Sequence, residues 1–448
     1  MELTDLNNLG YGVGRCEGQV VFVAGGVAGD LVDVRLIRVA SGYAVGRIER
    51  MLAPSVHRIE SACPAAGCGG CAYRNVDAAE EKRLKENGVH QAFIKQGLPE
   101  VGIRPMCETG SRLHYRNKAQ YPVTPGPKGG CVIGFYAPRS HRVVAAENCP
   151  LQDPAFGPLV ECLHGLLERY GIAAYDEKTR QGLVRHIYLR RGSESGEILL
   201  TLVVNGEHLP HAGEIVSALR ERAPDLVGVL LNVNTADTNV ICGERYIPLW
   251  GRGYLCDRLC GVELRMTPAS FYQVNHAGAE LLYTLAREEA CLRGDELVLD
   301  LYCGIGSIGL SMARYVRQVI GIESVAEAVA CARENAARNG IRNAAFYCGD
   351  AGTAEGLLCE AEKSLEERLR PDVVILDPPR RGCDATLLDY LGRLGPDRIL
   401  YISCNPETLA RDIRRLMGNG YAAGEVTPVN LFPMTGHVEC VCALRKRG

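Results

Sequence analysis

Leu297-Val298-Leu299-Asp300-Leu301-Tyr302-Cys303-Gly304-Ile305-Gly306-Ser307-Ile308-Gly309 is an apolar β-type run that feeds a glycine-rich turn and then a helix. Its first six residues predict a strand buried on both faces, as in a parallel sheet covered by helices. Glycines at 304, 306 and 309 let the backbone approach a ligand closely. Taken literally they fit the G-x-G-x-x-G dinucleotide fingerprint, and Glu323 ends the next predicted strand 19 residues after Gly304, placed to accept ribose hydroxyls. A nicotinamide or flavin dinucleotide is therefore one reading of the loop, and the loop alone does not decide.

The strands that come after it each end on a polar residue. Phe346 to Gly349 leads to Asp350, and Asp372 to Leu376 leads to Asp377-Pro378-Pro379-Arg380-Arg381-Gly382. Those prolines deny the backbone further ladder donors and stiffen the turn that presents the carboxylate. Ile399 to Ile402 is a further buried strand, and it delivers Cys404 into the turn Ser403-Cys404-Asn405-Pro406. Ligands of open α/β sheets gather at such carboxyl ends. A free cysteine usually packs as a small hydrophobe. Its place at a polar stop makes Cys404 the candidate nucleophile instead.

The 448 residues are enough for about three domains, and 47% hydrophobic with 23% charged is an ordinary globular composition. The acidic start Met1-Glu2-Leu3-Thr4-Asp5 lacks a signal-peptide core and no apolar run reaches membrane-spanning length, so a cytoplasmic location is expected. A net charge of −3 leaves nucleic-acid binding to local patches. One such patch is 101–150, with seven cationic residues against two acids and with Tyr115, Tyr121, Phe135 and Tyr136 interleaved as stacking surfaces.

Most of the 20 cysteines are scattered. Cys63, Cys68 and Cys71, however, share one glycine-rich turn, and Cys149 precedes a proline like the remote Cys-Pro of ferredoxin-type clusters. A [4Fe-4S] cluster on these four is favoured over zinc, which more often shows paired Cys-x-x-Cys knuckles. Residues up to about 55 carry short β runs punctuated by glycine, the pattern of a small barrel. Glu80 to Lys95 reads as a helix, 160–265 as mixed α/β, Met266-Thr267-Pro268 as a joint, and Ser270 to Ala286 as a helix opening the last domain.

Asp300 with Gly304-x-Gly306 resembles the first motif of class I methyltransferases, whose ligand is S-adenosylmethionine, and Asp-Pro-Pro resembles the fourth-strand motif of nucleobase methyltransferases. Asp377-Pro378-Pro379-Arg380-x-Gly382, the run Ile399 to Thr408 through Cys404, and Leu431-Phe432-Pro433-Met434-Thr435-Gly436-His437-Val438-Glu439 together are similar to the RNA uracil-5-methyltransferase family. The run Asn8 to Arg15 resembles a TRAM domain, an OB-like RNA-binding module. With the cysteine triplet it resembles the branch that modifies 23S rRNA.

The resemblance implies a TRAM barrel at 1–57, an iron-sulfur and central RNA-binding α/β domain at 58–265, and a Rossmann-like methyltransferase domain at 266–448. It implies Glu439 as base to Cys404, and Gln273, Tyr302, Glu323, Asp377 and Asp350 around S-adenosylmethionine. RNA is then the partner, with no membrane and no obligate protein partner. Methylation of a tRNA uridine, and an iron-sulfur RNA-binding protein without methyl transfer, are the alternatives. Three departures stand out: a shortened Cys63 to Cys68 gap, Asn430 where aspartate is usual, and Ser307 where asparagine is common.

Overall fold

The computed structural model describes residues 1–365 and 369–448. Its first sheet runs in the order Leu3–Leu6, Tyr11–Cys16, Gln19–Ala24, Tyr43–Ala53, Leu31–Val39 and closes over Leu3, Val21, Val23, Val32 and Ala44. Asp30, fully buried, ties the barrel to the segment at 55–58 by accepting from the Val27 and Ser55 N–H groups at 2.7 and 2.9 Å and pairing with Arg58.

A seven-stranded sheet comes next, in the order Arg245–Gly251, Leu226–Val233, Ile198–Val204, Val184–Arg191, Lys118–Pro125, Cys131–Tyr136, Val143–Ala145. It is antiparallel except where Ile198–Val204 meets Leu226–Val233. Helices Phe156–Arg169 and Ala212–Arg222 supply apolar side chains to its core.

The last sheet holds the site, and its strands are numbered from its own start: β1 (Leu297–Leu301), β2 (Gln318–Glu323), β3 (Ala344–Cys348), β4 (Val373–Leu376), β5 (Arg398–Ser403), β6 (Tyr421–Val429) and β7 (Glu439–Lys446). Their order is β3-β2-β1-β4-β5-β7-β6, parallel up to β5 and antiparallel through β7 and β6. The near-continuous apolar runs have a direct cause, since both faces are covered. Leu297, Leu299 and Leu301 point into one core and Val298 into the other. This is the expected Rossmann-like methyltransferase architecture, behind an amino-terminal β domain.

Packing crosses the divisions expected at 57/58 and 265/266. Val89 and Phe93 of the helix Ala78–Lys95, followed by Leu98, Val101 and Met106, lie in one core with β1, β4 and β5. The hairpin Leu255–Leu259/Val262–Met266 lies in the other. The helix expected from Ser270 begins only at His276, because Asn275 caps it by accepting from the Gly278 N–H at 3.0 Å.

Candidate active site

Strand register brings the expected residues together. Leu301 pairs with both Ile322 and Leu376, so the next residues, Tyr302, Glu323 and Asp377, leave three adjacent strands side by side. Asp350 lies one strand further out, where the preceding Gly349 N–H donates to the Glu323 carbonyl at 2.9 Å. On the other flank Ser403 pairs with Cys440. The following residue, Cys404, leaves the ladder beside Glu439, the first residue of β7, and the two are within electrostatic reach.

The turn after β5 is built by its own polar side chains. Ser403 Oγ accepts from the Asn405 N–H at 3.1 Å, and Asn405 caps the helix Pro406–Gly418 by accepting from the Glu407 N–H at 3.1 Å. Asn405 Nδ2 and Thr408 Oγ1 donate to the Arg380 carbonyl at 3.0 and 3.4 Å. One motif therefore caps a helix and grips the Asp-Pro-Pro turn. Buried Asp412 completes the grip by accepting from the Cys383 N–H at 2.8 Å and the Tyr401 hydroxyl at 2.6 Å.

Burial sets the protonation of the cleft. The Cys404 thiol is pushed up to about 11, by desolvation first and then by Glu439, with Arg380 opposing. Glu439, 4% exposed, is raised well above the usual carboxylate range by desolvation and then by Asp377, again with Arg380 opposing. Asp377 rises to about 7 through desolvation alone. His437 falls to about 4, chiefly by desolvation and then through Arg380, whose guanidinium lies 3.3–3.4 Å from both ring nitrogens. Burial thus favours the neutral forms of both Cys404 and Glu439.

The glycine loop is anchored by two carboxylates. Glu323 accepts from the Gly304 and Val325 N–H groups at 3.1 and 2.8 Å. Asp300, fully buried, accepts from the Gly309 N–H at 2.9 Å through Oδ2, while Oδ1 has no partner among the described residues, and desolvation pushes it up to about 7. A Cβ on Gly309 would stand 2.8 Å from Oδ2, so glycine is required there. Asp300 holds the loop closed, a role the strand reading left unassigned. Its signal was an acid inside an otherwise apolar strand.

Tyr302 adopts φ +65°, which turns the chain sharply into the loop, and packs against the core under β1. Asp350 is exposed and spends one oxygen on the Gly352 N–H at 2.7 Å. Gln273, 6% exposed, sits on a loop fixed by Asn117 Nδ2 donating to its carbonyl at 3.0 Å. Two residues earlier Phe271, which the sequence reading passed over, is 64% exposed. Ser307 bonds the Tyr283 hydroxyl at 3.0 Å.

Cys63, Cys68, Cys71 and Cys149 line one cavity of about 400 Å³, whose far wall carries Arg380 and His437. The Gly70 N–H points at Cys68 Sγ at 3.5 Å, and the Gln152 N–H donates to the Cys149 carbonyl at 3.0 Å. Desolvation and then Cys149 push Cys71 up to about 12. Four thiols around one cavity, with Cys63, Cys68 and Cys149 in electrostatic reach of Cys71 and an amide donor aimed at Cys68, are ligand types that suit an iron-sulfur centre.

Asn430 lies in a buried polar cluster that fixes the approach to Glu439. Lys85 Nζ donates to Glu81 at 2.8 Å, to Asn430 Oδ1 at 2.7 Å and to the Phe432 carbonyl at 3.0 Å. Glu81 accepts in addition from Arg112 at 2.6 Å and from the Met434 N–H at 2.9 Å.

Comparison with known proteins agrees with this geometry. The tRNA (uracil-5-)-methyltransferase family matches residues 258–447, and the TRAM domain matches residues 2–48. An RNA methyltransferase of Clostridium tetani is 36% identical over 100% of this chain and 96% of its own length. One from Gloeobacter violaceus is 40% identical over 99% and 95%. The structure of Pyrococcus abyssi tRNA (uracil-54, C5)-methyltransferase in complex with S-adenosyl-L-homocysteine superposes with a TM-score of 0.78 at 26% identity, covering 99% of each chain.

Proposed function

From the premise that this chain belongs to the RNA uracil-5-methyltransferase family and is an S-adenosylmethionine-dependent enzyme acting on RNA, we propose that it methylates a uridine of 23S rRNA through Cys404 and Glu439. The observation that carries the mechanism is their juxtaposition across β5 and β7, with Asp377 in electrostatic reach of both.

Uracil C5 is too weak a nucleophile to take a methyl group unaided, so electrons must first be loaded into the ring. Cys404, once deprotonated, adds through Sγ to C6, and the C5=C6 electrons move into the C4 carbonyl as an enolate. S-adenosylmethionine, when bound, offers C5 an electrophilic methyl group whose bonding pair stays with the departing thioether. Glu439, ionised at that stage, removes the C5 proton; the C5–H pair re-forms the C5=C6 bond and expels the Cys404 thiolate. Arg380 favours both anions. Gln273 on its loop, and Tyr302, Glu323, Asp350 and Asp377 on the row of strand ends, are assigned to the cofactor side. Phe271 offers its exposed ring to a base drawn out of the stack, a step that costs a few kcal/mol.

Cys63, Cys68, Cys71 and Cys149 are assigned to a [4Fe-4S] cluster with a structural part in shaping the RNA contact, because the reaction needs no electron. The cavity that the four cysteines line and the Gly70 N–H aimed at Cys68 Sγ support that reading. A cytoplasmic location is part of this proposal; among the described residues no helix is long and apolar enough to cross a membrane.

Incubation with 5-fluorouridine-containing RNA and S-adenosylmethionine tests the chemistry. A covalent adduct that disappears in Cys404→Ala is expected; an adduct that persists in that variant overturns it. Mapping the uridine left unmethylated when the gene is deleted tests the substrate. The P. abyssi likeness makes a tRNA uridine the competing outcome.

A further inference from the structure

The wall between the cysteine cavity and the Cys404 cleft carries positive charge without a partner. Arg116, Lys118 and Arg380 line it together with His437. Among the described residues none of the three is ion-paired with a carboxylate, whereas neighbouring Arg112 and Arg191 are engaged by Glu81 and Asp153 at 2.6 and 2.8 Å.

The backbone that carries Arg116 and Lys118 is fixed. The Arg116 N–H donates to the Leu151 carbonyl at 3.0 Å and its carbonyl accepts from the Asp153 N–H at 2.9 Å. Lys118 stands directly opposite Arg190 in the ladder. Like charges in directly opposed positions are destabilising, and Arg190 is itself 1% exposed with only neutral oxygens around it. Such an array persists more cheaply if an anion visits it. Countercharge for the thiols has another source, because Arg74 already bonds the Ala65 and Cys68 carbonyls of the cysteine loop at 3.0 and 3.1 Å. Arg116 and Arg380 instead face His437, and Arg380 faces Cys404.

We propose that Arg116, Lys118 and Arg380 form a phosphate clamp that seats a phosphodiester next to the target uridine and so fixes the ring over Cys404. The proposal rests on Cys404 being the nucleophile toward that uridine. Arg380 spans the two functions, with its carbonyl tied to the Cys404 turn and its guanidinium in the cavity. Charge-assisted contacts from two guanidiniums and an ammonium suit a singly charged, tetrahedral oxyanion.

The test compares uridine with uridine 3′- and 5′-monophosphates as competitors of methyl transfer by the full-length holoprotein. Total RNA from a strain lacking the gene serves as acceptor. One of the two nucleotides is expected to compete roughly tenfold more tightly than the nucleoside, the scale of one charge-assisted contact. Arg116→Met and Lys118→Met are each expected to erase that preference, and Lys118→Arg to keep it. In each Met variant the slope of log KM for RNA against log salt should fall by about 0.7, the value for one single-strand phosphate contact. A folded Met variant, judged by its thermal melt, that retains both the nucleotide preference and the salt slope overturns the clamp. So does a changed cluster spectrum with the preference intact, which assigns the cations to the cysteine centre. Absence of methyl transfer by the unaltered protein, with the same nucleotide still displacing filter-bound RNA more tightly than uridine and losing that advantage in the Met variants, defeats the functional reading and leaves a phosphate site at these three cations.

Discussion

Glu439 carries two opposed demands. As the base it must ionise, yet desolvation and Asp377 hold its carboxyl far above its ordinary 4.5. A carboxyl raised in the folded state keeps its proton there while the unfolded chain has already lost it. Stability is therefore full below pH 4.5 and declines as pH rises toward the folded value. Asp377 adds the same sign between 3.8 and about 7. Glu439→Gln removes the ionisable group but keeps its shape. Its melting temperature should match the parent near pH 4.5 and exceed it increasingly at pH 8; a gap that stays constant across that range refutes the assignment. The same variant retains Cys404 but lacks the base. It should accumulate a covalent complex with ordinary uridine RNA, visible as a gel shift, in place of turnover. For Cys404 the raised thiol means that adduct formation on 5-fluorouridine RNA should accelerate with pH, approaching tenfold per unit at neutrality.

At the scale of elements, the helix Ala78–Lys95 belongs energetically to the carboxyl-terminal sheet. Glu81 and Lys85, 0% and 1% exposed at their side chains, reach across more than 340 residues of sequence to hold Asn430, Phe432 and Met434. Removing one member of a buried pair costs more than the pair itself contributes, because the other charge is stranded. Lys85→Met should cost about 3 kcal/mol, the lower end of that range, since Arg112 still partners Glu81. The unfolding midpoint should fall, and methyl transfer should fall with it because the loop before Glu439 loses its tether. Lys85→Arg should recover part of both. The turn at Gly382 is equally constrained: its φ is +77°, and a Cβ there would meet Asp412 Oδ2 at 2.6 Å. Gly382→Ala should weaken methyl transfer by displacing Arg380, with a smaller effect on the melt.

For the molecule as a whole, Arg380 and His437, which line the cysteine cavity, link the central region to the chemistry. On the proposed [4Fe-4S] assignment, Cys68→Ser should remove visible absorbance and lower the melting temperature. It should raise KM for RNA more than it lowers the rate of adduct formation, if the cluster shapes contact rather than reaction. The strands, the glycine loop, the Cys404 turn and the barrel were legible because each arises from local pattern: buried runs without polar interruption, glycine where backbone turns, Asn-Pro where a helix is capped. Other features were not legible, because their partners are distant in sequence. Asp300 reads as an odd acid until Gly309 folds onto it, and Asn430 reads as a departure until Lys85 is seen beside it. Arg116 and Lys118 read as part of a general basic excess. Sequence alone determined the order of elements and the residue types at the strand ends, since those depend on short-range periodicity and turn chemistry. Only the tertiary structure decided which ends meet, how far burial shifts the Cys404 and Glu439 protons, and which charges remain unpaired, because desolvation and Coulomb energy depend on distance through space and not along the chain.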